Sequence, residues 1–116
     1  MNRARAERSG RRGEDRAAWY LRLRGYRILA RRQRTPRGEI DLVARRGRTI
    51  VFVEVKTRAT PAELDLAIDE YRLQRVAAAA EILAPEFAGN GEDIRIDVIL
   101  VAPGHRPRHI ENAWMG

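Results

Sequence analysis

One carboxylate and a carboxylate–lysine pair, residue types that bind metal ions and move protons, lie on two neighbouring strand segments. Asp41 ends a Gly-Glu-Ile-Asp run, and Glu54 and Lys56 belong to a Glu-Val-Lys run on the next segment. An arginine-glycine dipeptide between them is typical of a tight turn, so a hairpin is predicted that brings Asp41 near Glu54. Alternation places Glu54 and Lys56 on one face, about 6.6 to 6.8 Å apart along the strand. The three side chains are therefore expected to share one small pocket.

The two carboxylates of this pocket favour a divalent cation. Asp41 and Glu54 would repel each other at close range unless a cation neutralises them. Mg²⁺ binds one or two carboxylates and completes its shell with water and phosphate oxygens, so Mg²⁺, or Mn²⁺ in its place, is the expected ion. Glu14 would extend the cluster, because its spacing from the apolar residues of the first predicted helix turns it towards the buried side. Glu14 has a second interpretation, as a carboxylate that stabilises a helix N-terminus.

Lys56 is the one lysine in the chain, and the other basic residues are all arginines. Arginine has a pKa above about 12 and does not exchange protons, whereas the pKa of a lysine can be lowered. A chemical role for Lys56 is therefore expected. The alternative is a ladder of exposed charges, formed by Glu54 and Lys56 on an edge strand. Apolar residues on both faces of that strand favour a central position instead.

The surrounding pattern predicts an α/β domain over residues 13–116, with the order α-β-β-β-α-β-β. Helices are expected at 13–24, ended by Gly25, and at 61–83, ended by Pro85; strands are expected at 26–31, 38–45, 48–57, 94–101 and 109–113. The third strand should be central and covered on both faces. Residues 1–12 are arginine-rich and predict a flexible basic arm, which either contacts phosphates or keeps the protein soluble.

Two apolar faces follow from the same periodicity. In the second strand, Ile40, Leu42 and Ala44 are expected on one face and Glu39, Asp41 and Val43 on the other. In the second helix, the apolar stripe is expected to consist of Leu64, Ile68, Tyr71, Ala78 and Ile82. The sparse aromatic residues Trp19, Tyr20 and Tyr71 are expected in the core or facing a partner rather than stacking on bases.

Charge and composition narrow the function further. The net charge of +7 and the pI of about 11.1 favour a polyanionic partner, most simply nucleic acid, although an arginine-rich proteome would give the same balance. The absence of cysteine excludes disulfides, a thiolate nucleophile and cysteine-ligated metals. No apolar run approaches a membrane span and the first residues lack a secretory signal, so a cytoplasmic protein without membrane contact is expected.

An early glutamate, an aspartate at a strand end and an acid-x-lysine triplet on the next strand resemble the PD-(D/E)xK nuclease superfamily. The chain is more closely similar to the YraN-like family of bacterial proteins, from Gly13 to Trp114. The blocks that carry this resemblance are Gly13-Glu14, Ala17, Leu21, Gly25-Tyr26, GEIDLV at 38–43, FVEVKTR at 52–58 and RIDV at 95–98. The resemblance implies a restriction-endonuclease-like fold, a central mixed β-sheet flanked by helices. Ile40 replaces the proline of the motif, and Arg72 stands where the family usually has lysine.

The resemblance also implies a role for each matching residue. Asp41, Glu54 and the Val55 carbonyl would bind Mg²⁺ with help from Glu14, and Lys56 would orient or help deprotonate the attacking water. Arg58, Arg72 and Arg75 would contact the DNA backbone. Asp97 has either a site role or a structural one, paired with Arg95 or with an arginine of the second helix. His105 and His109 are expected to be ordinary loop or strand residues.

Together these features predict a small Mg²⁺-dependent DNA endonuclease, more structure-specific than sequence-specific. Little of the chain remains to read base edges, and analogy with archaeal Holliday-junction resolvases favours branched DNA. A homodimer would be required to cut both strands. Two alternatives stay open: a non-catalytic nucleic-acid-binding module with a nuclease fold, and a protein-interaction adaptor. The basic surface alone does not separate DNA from RNA.

Overall fold

The computed structural model describes residues 3–60, 62 and 69–114, and within them a five-stranded sheet lies between two helices. The elements are α1 (Arg3–Leu23), β1 (Arg27–Thr35), β2 (Gly38–Arg46), β3 (Thr49–Thr57), α2 (Glu70–Phe87), β4 (Asp93–Val101) and β5 (Arg108–Ile110). The strand order is β1-β2-β3-β4-β5, with every neighbouring pair antiparallel except the parallel pair β3–β4. The predicted α/β class, the mixed sheet and the element order are confirmed.

β3 is the central strand, as its apolar residues on both faces predict. On one face, Ile50 and Phe52 pack in the α2-side core. On the other, Val51 and Val53 pack in the α1-side core. Burial on both faces fits a strand with a parallel neighbour, because the α2 crossover must return across the sheet.

The two cores draw on different helices. The α2-side core contains Leu73, Val76, Ala79, Ala80 and Leu83 of the helix, against Ile40, Val43, Ile50, Phe52, Ile96, Val98 and Leu100 of the sheet. The α1-side core contains Ala17, Ala18 and Leu21, against Leu42, Ala44, Val51, Val53, Ile99 and Val101. The site described below therefore rests on a sheet that is held from both sides.

The predicted faces of β2 are correct for Leu42 and Ala44 but wrong for Ile40, which joins the α2-side core. The β2–β3 register runs from the turn as far as Leu42 opposite Val53. Beyond Leu42 the strand no longer follows β3 in that register, so strict alternation does not carry over to Ile40. This local departure opens the sheet beside Asp41.

The predicted apolar stripe of α2 is wrong in its described part. Tyr71 is 68% exposed and Ile82 is 45% exposed, whereas Leu73 and Val76 are buried. Four consecutive alanines in this helix weaken the periodic signal, and the predicted stripe includes residues of the exposed side of the helix. Of the predicted stripe, Leu64 and Ile68 lie outside the described residues.

α2 begins at a capping residue, and it continues beyond the proline at which it was predicted to end. Asp69 is the N-cap and its side chain accepts a hydrogen bond from the Tyr71 N–H, 2.8 Å. Pro85 lies inside the helix rather than at its end, and Phe87 is the last helical residue. The Ala88 N–H donates to the Ala84 carbonyl, 2.7 Å, so the helical turn continues across the proline.

α1 begins at Arg3, ten residues before the predicted start, so residues 3–12 are helical where an arm was expected. Alanine and arginine are strong helix formers, which explains the extension. The predicted end is confirmed: Gly25 has φ +87°, and the Tyr26 N–H donates to the Leu21 carbonyl, 3.0 Å. Neither helix within the described residues is long and apolar enough to cross a membrane.

The exposed aromatic residues are not in the core. Trp19 is 63% exposed on α1, and the Arg22 guanidinium lies 5.8 Å from its ring centre. Tyr71 on α2 is likewise exposed. Of the two expectations for these side chains, a core position is excluded for both.

Candidate functional site

A cleft of about 300 Å³ opens where β2 departs from the β3 register, and it contains the three side chains predicted to share a pocket. Its lining consists of Gly38, Glu39, Asp41, Glu54, Val55, Lys56, Arg72, Arg75 and Val76. β2 supplies two carboxylates, those of Glu39 and Asp41, β3 supplies one carboxylate and the lysine, and α2 closes the cleft with two arginines. The cleft is polar because charged groups from three elements meet at one edge of the sheet.

The Asp41 carboxylate accepts a β3 backbone hydrogen bond that a neighbouring strand would otherwise accept. Its Oδ2 accepts a hydrogen bond from the Val55 N–H, 2.7 Å, at the point where the β2–β3 ladder has ended. A backbone N–H without a partner would be costly in this interior, so the carboxylate completes the sheet edge. The N–H and C=O of one strand residue point to the same edge, and the Val55 carbonyl therefore also faces the β2 side.

The surroundings of Asp41 disfavour its charged form. Burial raises the pKa of Asp41 from 3.8 to about 6, against the opposing effect of the Val55 N–H, and the negative charges of Glu14 and Glu54 raise it further. A carboxyl group in this state lacks sufficient positive charge around it. A divalent cation would supply that charge.

Glu54 and Lys56 form a buried ion pair on β3. Lys56 Nζ lies 3.0 Å from Glu54 Oε1, and the two side chains are 7% and 11% exposed. Burial lowers the pKa of Lys56, although the hydrogen bond to Glu54 opposes the shift. The alternative of an exposed charge ladder on an edge strand is wrong, because β3 is central and both side chains are buried.

The three arginines predicted to contact the DNA backbone are placed differently. Arg72 and Arg75 line the cleft, and Arg72 Nε lies 3.5 Å from Glu54 Oε1. Arg58 follows β3 and donates to the Thr57 carbonyl, 2.7 Å, outside the set of lining residues. Two of the three cations are thus available at the cleft itself.

Glu14 lies in the middle of α1, which excludes its interpretation as a helix N-terminal residue. Both of its carboxylate oxygens accept hydrogen bonds from Arg32, at 3.0 and 3.2 Å. Glu14 is outside the cleft lining, yet its charge contributes to the raised pKa of Asp41. The preceding residue, Gly13, permits the close approach of α1 to the end of β3, because a Cβ at this position would lie 2.1 Å from Thr57 Oγ1.

The donor set fits a magnesium-like ion rather than a closed metal cage. In the part of the chain that the structure describes, no three histidine, cysteine or carboxylate side chains converge closely enough to hold a metal. The cleft offers the carboxylates of Asp41 and Glu54 and the Val55 carbonyl, whereas the third carboxylate of the lining, Glu39, is paired with Arg34 at 3.3 Å. Mg²⁺ takes one or two carboxylates and keeps several waters, so this set is sufficient for it. A zinc site would need more protein ligands.

Asp97 is fully buried and lies apart from the cleft lining in a hydrogen-bonded network, which favours its structural interpretation. His109 Nε2 lies 2.6 Å from Asp97 Oδ2, Arg95 donates to both carboxylate oxygens at 2.9 and 2.8 Å, and the Asn112 N–H donates at 2.9 Å. Arg95 also donates to the Tyr26 hydroxyl, 2.7 Å. The predicted pairing with Arg95 is confirmed. His109 is not an ordinary strand residue, because its ring ties β5 to this buried carboxylate.

Sequence reasoning missed Arg32, the partner of Glu14. In sequence, Arg32 is one of many arginines, and it stands just after the predicted end of β1. Its contact joins β1 to α1 and depends on how the helix packs across the sheet. No local pattern in the sequence distinguishes it.

The fold and the cleft define a small α/β protein with three carboxylates and one lysine in a cleft at an open edge of its central strand pair. The chain belongs to the uncharacterised protein family UPF0102, whose family model matches residues 13–101. This confirms the YraN-like assignment made from the sequence blocks.

Relatives at high identity share nearly the whole length. A UPF0102 protein of Erythrobacter litoralis is 68% identical over 114 residues, covering 98% of each chain. A UPF0102 protein of Sphingopyxis alaskensis is 64% identical over 114 residues, again covering 98% of each chain. A third, from Rhizorhabdus wittichii, is 62% identical over 117 residues, covering 100% of this chain and 99% of the relative.

Proposed function

We propose that this protein is a divalent-metal-dependent nuclease that hydrolyses phosphodiester bonds in DNA. The observation that carries the proposal is the cleft in which Asp41, with a pKa raised to about 6, lies beside the buried Glu54–Lys56 pair. Strongly perturbed titratable groups gathered in a cleft are typical of active sites. Two carboxylates with a lysine and two arginines suit a phosphate ester, whose charge the cations offset.

Asp41, Glu54 and the Val55 carbonyl would hold the metal ion. When bound, the ion supplies a water of lowered pKa and neutralises charge on the phosphate. Lys56 Nζ is held 3.0 Å from Glu54 Oε1, so it would act beside a carboxylate that holds the ion. Burial favours its neutral form, and this helps it to accept a proton. Hydrolysis adds the water oxygen to phosphorus and breaks one P–O ester bond.

The basic residues of the cleft favour backbone recognition. Arg72 and Arg75 lie on α2 at the cleft, where their guanidinium groups can bind phosphate oxygens. The net charge of +7 adds attraction without sequence preference. Phosphate contacts position a nucleic acid but do not read its bases, so we infer a preference for DNA structure such as branches or ends. Cutting both strands of a symmetric junction would require two copies of the site.

The test is cleavage of labelled duplex, single-stranded, flap and four-way-junction DNA, with a matched RNA duplex, in Mg²⁺ or Mn²⁺. Lys56→Met and Glu54→Gln should each lower the cleavage rate by about a hundredfold or more. Glu92→Gln is the matched control. The Glu92 side chain is 3% exposed and paired with Arg45 at 3.5 Å, so it is a buried carboxylate outside the cleft lining. The control should cleave at the wild-type rate.

The other outcomes identify the alternatives. Metal-independent DNA binding without cleavage would replace the nuclease with a nucleic-acid-binding module. If the protein neither binds nor cleaves DNA, the result would favour an adaptor that recognises a protein. Loss of activity in the Glu92 variant as well would show that the cleft variants act through folding, and circular dichroism of all three variants checks this directly.

A further inference from the structure

Arg32 has a backbone conformation that non-glycine residues rarely adopt. Its φ is +52°, and Asn112 is the other non-glycine residue with positive φ in the described part of the chain. A left-handed conformation costs free energy for a residue with a long side chain, and it persists where other contacts compensate. Arg32 follows a register shift in β1 between Ile28 and Ala30. From this position the Arg32 side chain, which is itself 42% exposed, reaches a carboxylate that is only 12% exposed.

That side chain reaches Glu14, one of the glutamates whose charges act on Asp41; Asp41 and these glutamates, Glu14, Glu39 and Glu54, are called the acidic cluster below. Arg32 Nε lies 3.0 Å from Glu14 Oε1 and its Nη2 lies 3.2 Å from Oε2, a two-pronged pairing of the stronger kind. In the β1–β2 register, Arg31 lies opposite Leu42 and Gln33 opposite Ile40, which places Arg32 across from Asp41. The hydrogen bond and charge of Glu14 raise the pKa of Arg32, with smaller contributions from Glu39 and Asp41.

We propose that Arg32 is an internal counter-cation that competes with the divalent metal ion for the acidic cluster. It holds Glu14 in a salt bridge and places one positive charge near Asp41, one of the carboxylates that would hold the metal. A divalent ion then binds against this charge, and Glu14 is free to assist the metal only when Arg32 releases it. Arg32 thereby sets the metal concentration at which the site fills. This inference rests on the proposed function and adds its regulation.

If the role of Arg32 were only to join β1 to α1, the neighbouring Arg31 would already fill it. Arg31 Nη1 lies 2.6 Å from Asp15 Oδ1, so a salt bridge joins β1 to α1 one residue away. The Asp15 side chain is 60% exposed, whereas that of Glu14 is 12% exposed. Of the two pairs, the one with unusual backbone geometry is the one that faces the acidic cluster. The Arg31–Asp15 pair therefore provides a control between the same two elements.

The test is Mn²⁺ binding to the full chain by isothermal titration calorimetry, with electron paramagnetic resonance of free Mn²⁺ as a second readout. Arg32→Asn removes the cation, and asparagine tolerates a left-handed backbone. It should bind Mn²⁺ about tenfold more tightly than wild type, equivalent to about 1.4 kcal/mol. Arg31→Asn should bind within about twofold of wild type. In the double variant Glu14→Gln/Arg32→Asn, most of the gain should disappear, because the freed carboxylate is absent.

Unchanged or weaker Mn²⁺ binding by folded Arg32→Asn would overturn the inference, since Arg32 would then support the metal site or only the fold. If that variant does not fold, Arg32→Lys keeps the charge but loses the two-pronged pairing, and it should bind about threefold more tightly. Wild type that binds Mn²⁺ but cuts no DNA refutes the proposed nuclease, and the Arg32 comparison still decides the inference. If neither wild type nor Arg32→Asn binds Mn²⁺, both proposals fail.

Discussion

Asp41→Asn should stabilise the folded protein at neutral pH. The folded state holds Asp41 where burial and three neighbouring glutamates disfavour its charge, and this raises its pKa from 3.8 to about 6. Above pH 7 the group is ionised in both the folded and unfolded chains, so the folded state bears the cost of that buried charge. Asparagine has a similar shape and removes the charge.

The size of the effect follows from the two pKa values. Each tenfold change in proton affinity is worth about 1.4 kcal/mol, so a pKa raised from 3.8 to about 6 corresponds to about 3 kcal/mol at most. The asparagine oxygen still accepts the Val55 N–H, and the effect of that hydrogen bond on the charged carboxylate is already included in the net pKa of about 6. The free energy of unfolding should therefore rise by up to about 3 kcal/mol above pH 7.

The pH dependence of the stability difference between the variant and wild type checks the sign of the effect independently. Because the folded-state pKa lies above the unfolded value, the folded state binds more protons between about pH 4 and 6, and wild-type stability falls as pH rises through that range. The variant lacks this loss. Its advantage should be absent below about pH 4, grow up to about pH 6 and stay constant above pH 7.

The assay is urea unfolding followed by tryptophan fluorescence from pH 4 to 8, with a chelator to remove metal ions. Asp15→Asn is the control, because that exposed carboxylate pairs with Arg31 at the surface. Its effect should stay within about 0.5 kcal/mol. Adding Mg²⁺ without chelator should narrow the gap, since a metal bound by Asp41 stabilises wild type. An Asp41 variant that is less stable at pH 7.5, or equally favoured at pH 4, would refute this reasoning.

Two further substitutions probe the framework around the cleft. Asp97→Asn should destabilise the fold by about 3 kcal/mol at pH 7, because Arg95 and His109 lose a buried carboxylate. Burial raises the pKa of Asp97, but its hydrogen bonds with His109 and Arg95 lower the pKa more, so the net pKa is depressed. In urea unfolding, the loss of stability in this variant should therefore shrink as the pH falls below about 4. Gly13→Ala should lower stability by about 1 to 3 kcal/mol, since its Cβ would meet Thr57 Oγ1. Gly13→Ala/Thr57→Ala should recover most of that loss in thermal melts; no recovery would exclude this contact as the cause.

The sequence alone was sufficient to predict the sheet centre and the cleft. Val51 and Val53 alternate with Ile50 and Phe52, so the two-sided burial of β3 is written into a single short segment. A tight turn before β3 aligns it with β2, which places Asp41 beside Glu54 and Lys56. Each of these inferences uses period-two alternation and a local turn, both of which operate over a few residues.

Only the tertiary structure decided how the helices complete the site and how β5 joins the network around the buried Asp97. The Arg32–Glu14 and His109–Asp97 contacts join elements whose separation depends on packing, and many arginines compete for each carboxylate in the sequence. Ile40 changes core because β2 departs from β3, a consequence of sheet geometry rather than of residue order. Local patterns specify which side chains share a strand face. The partners of buried charges are selected by the three-dimensional approach of distant elements, which no spacing in the chain encodes.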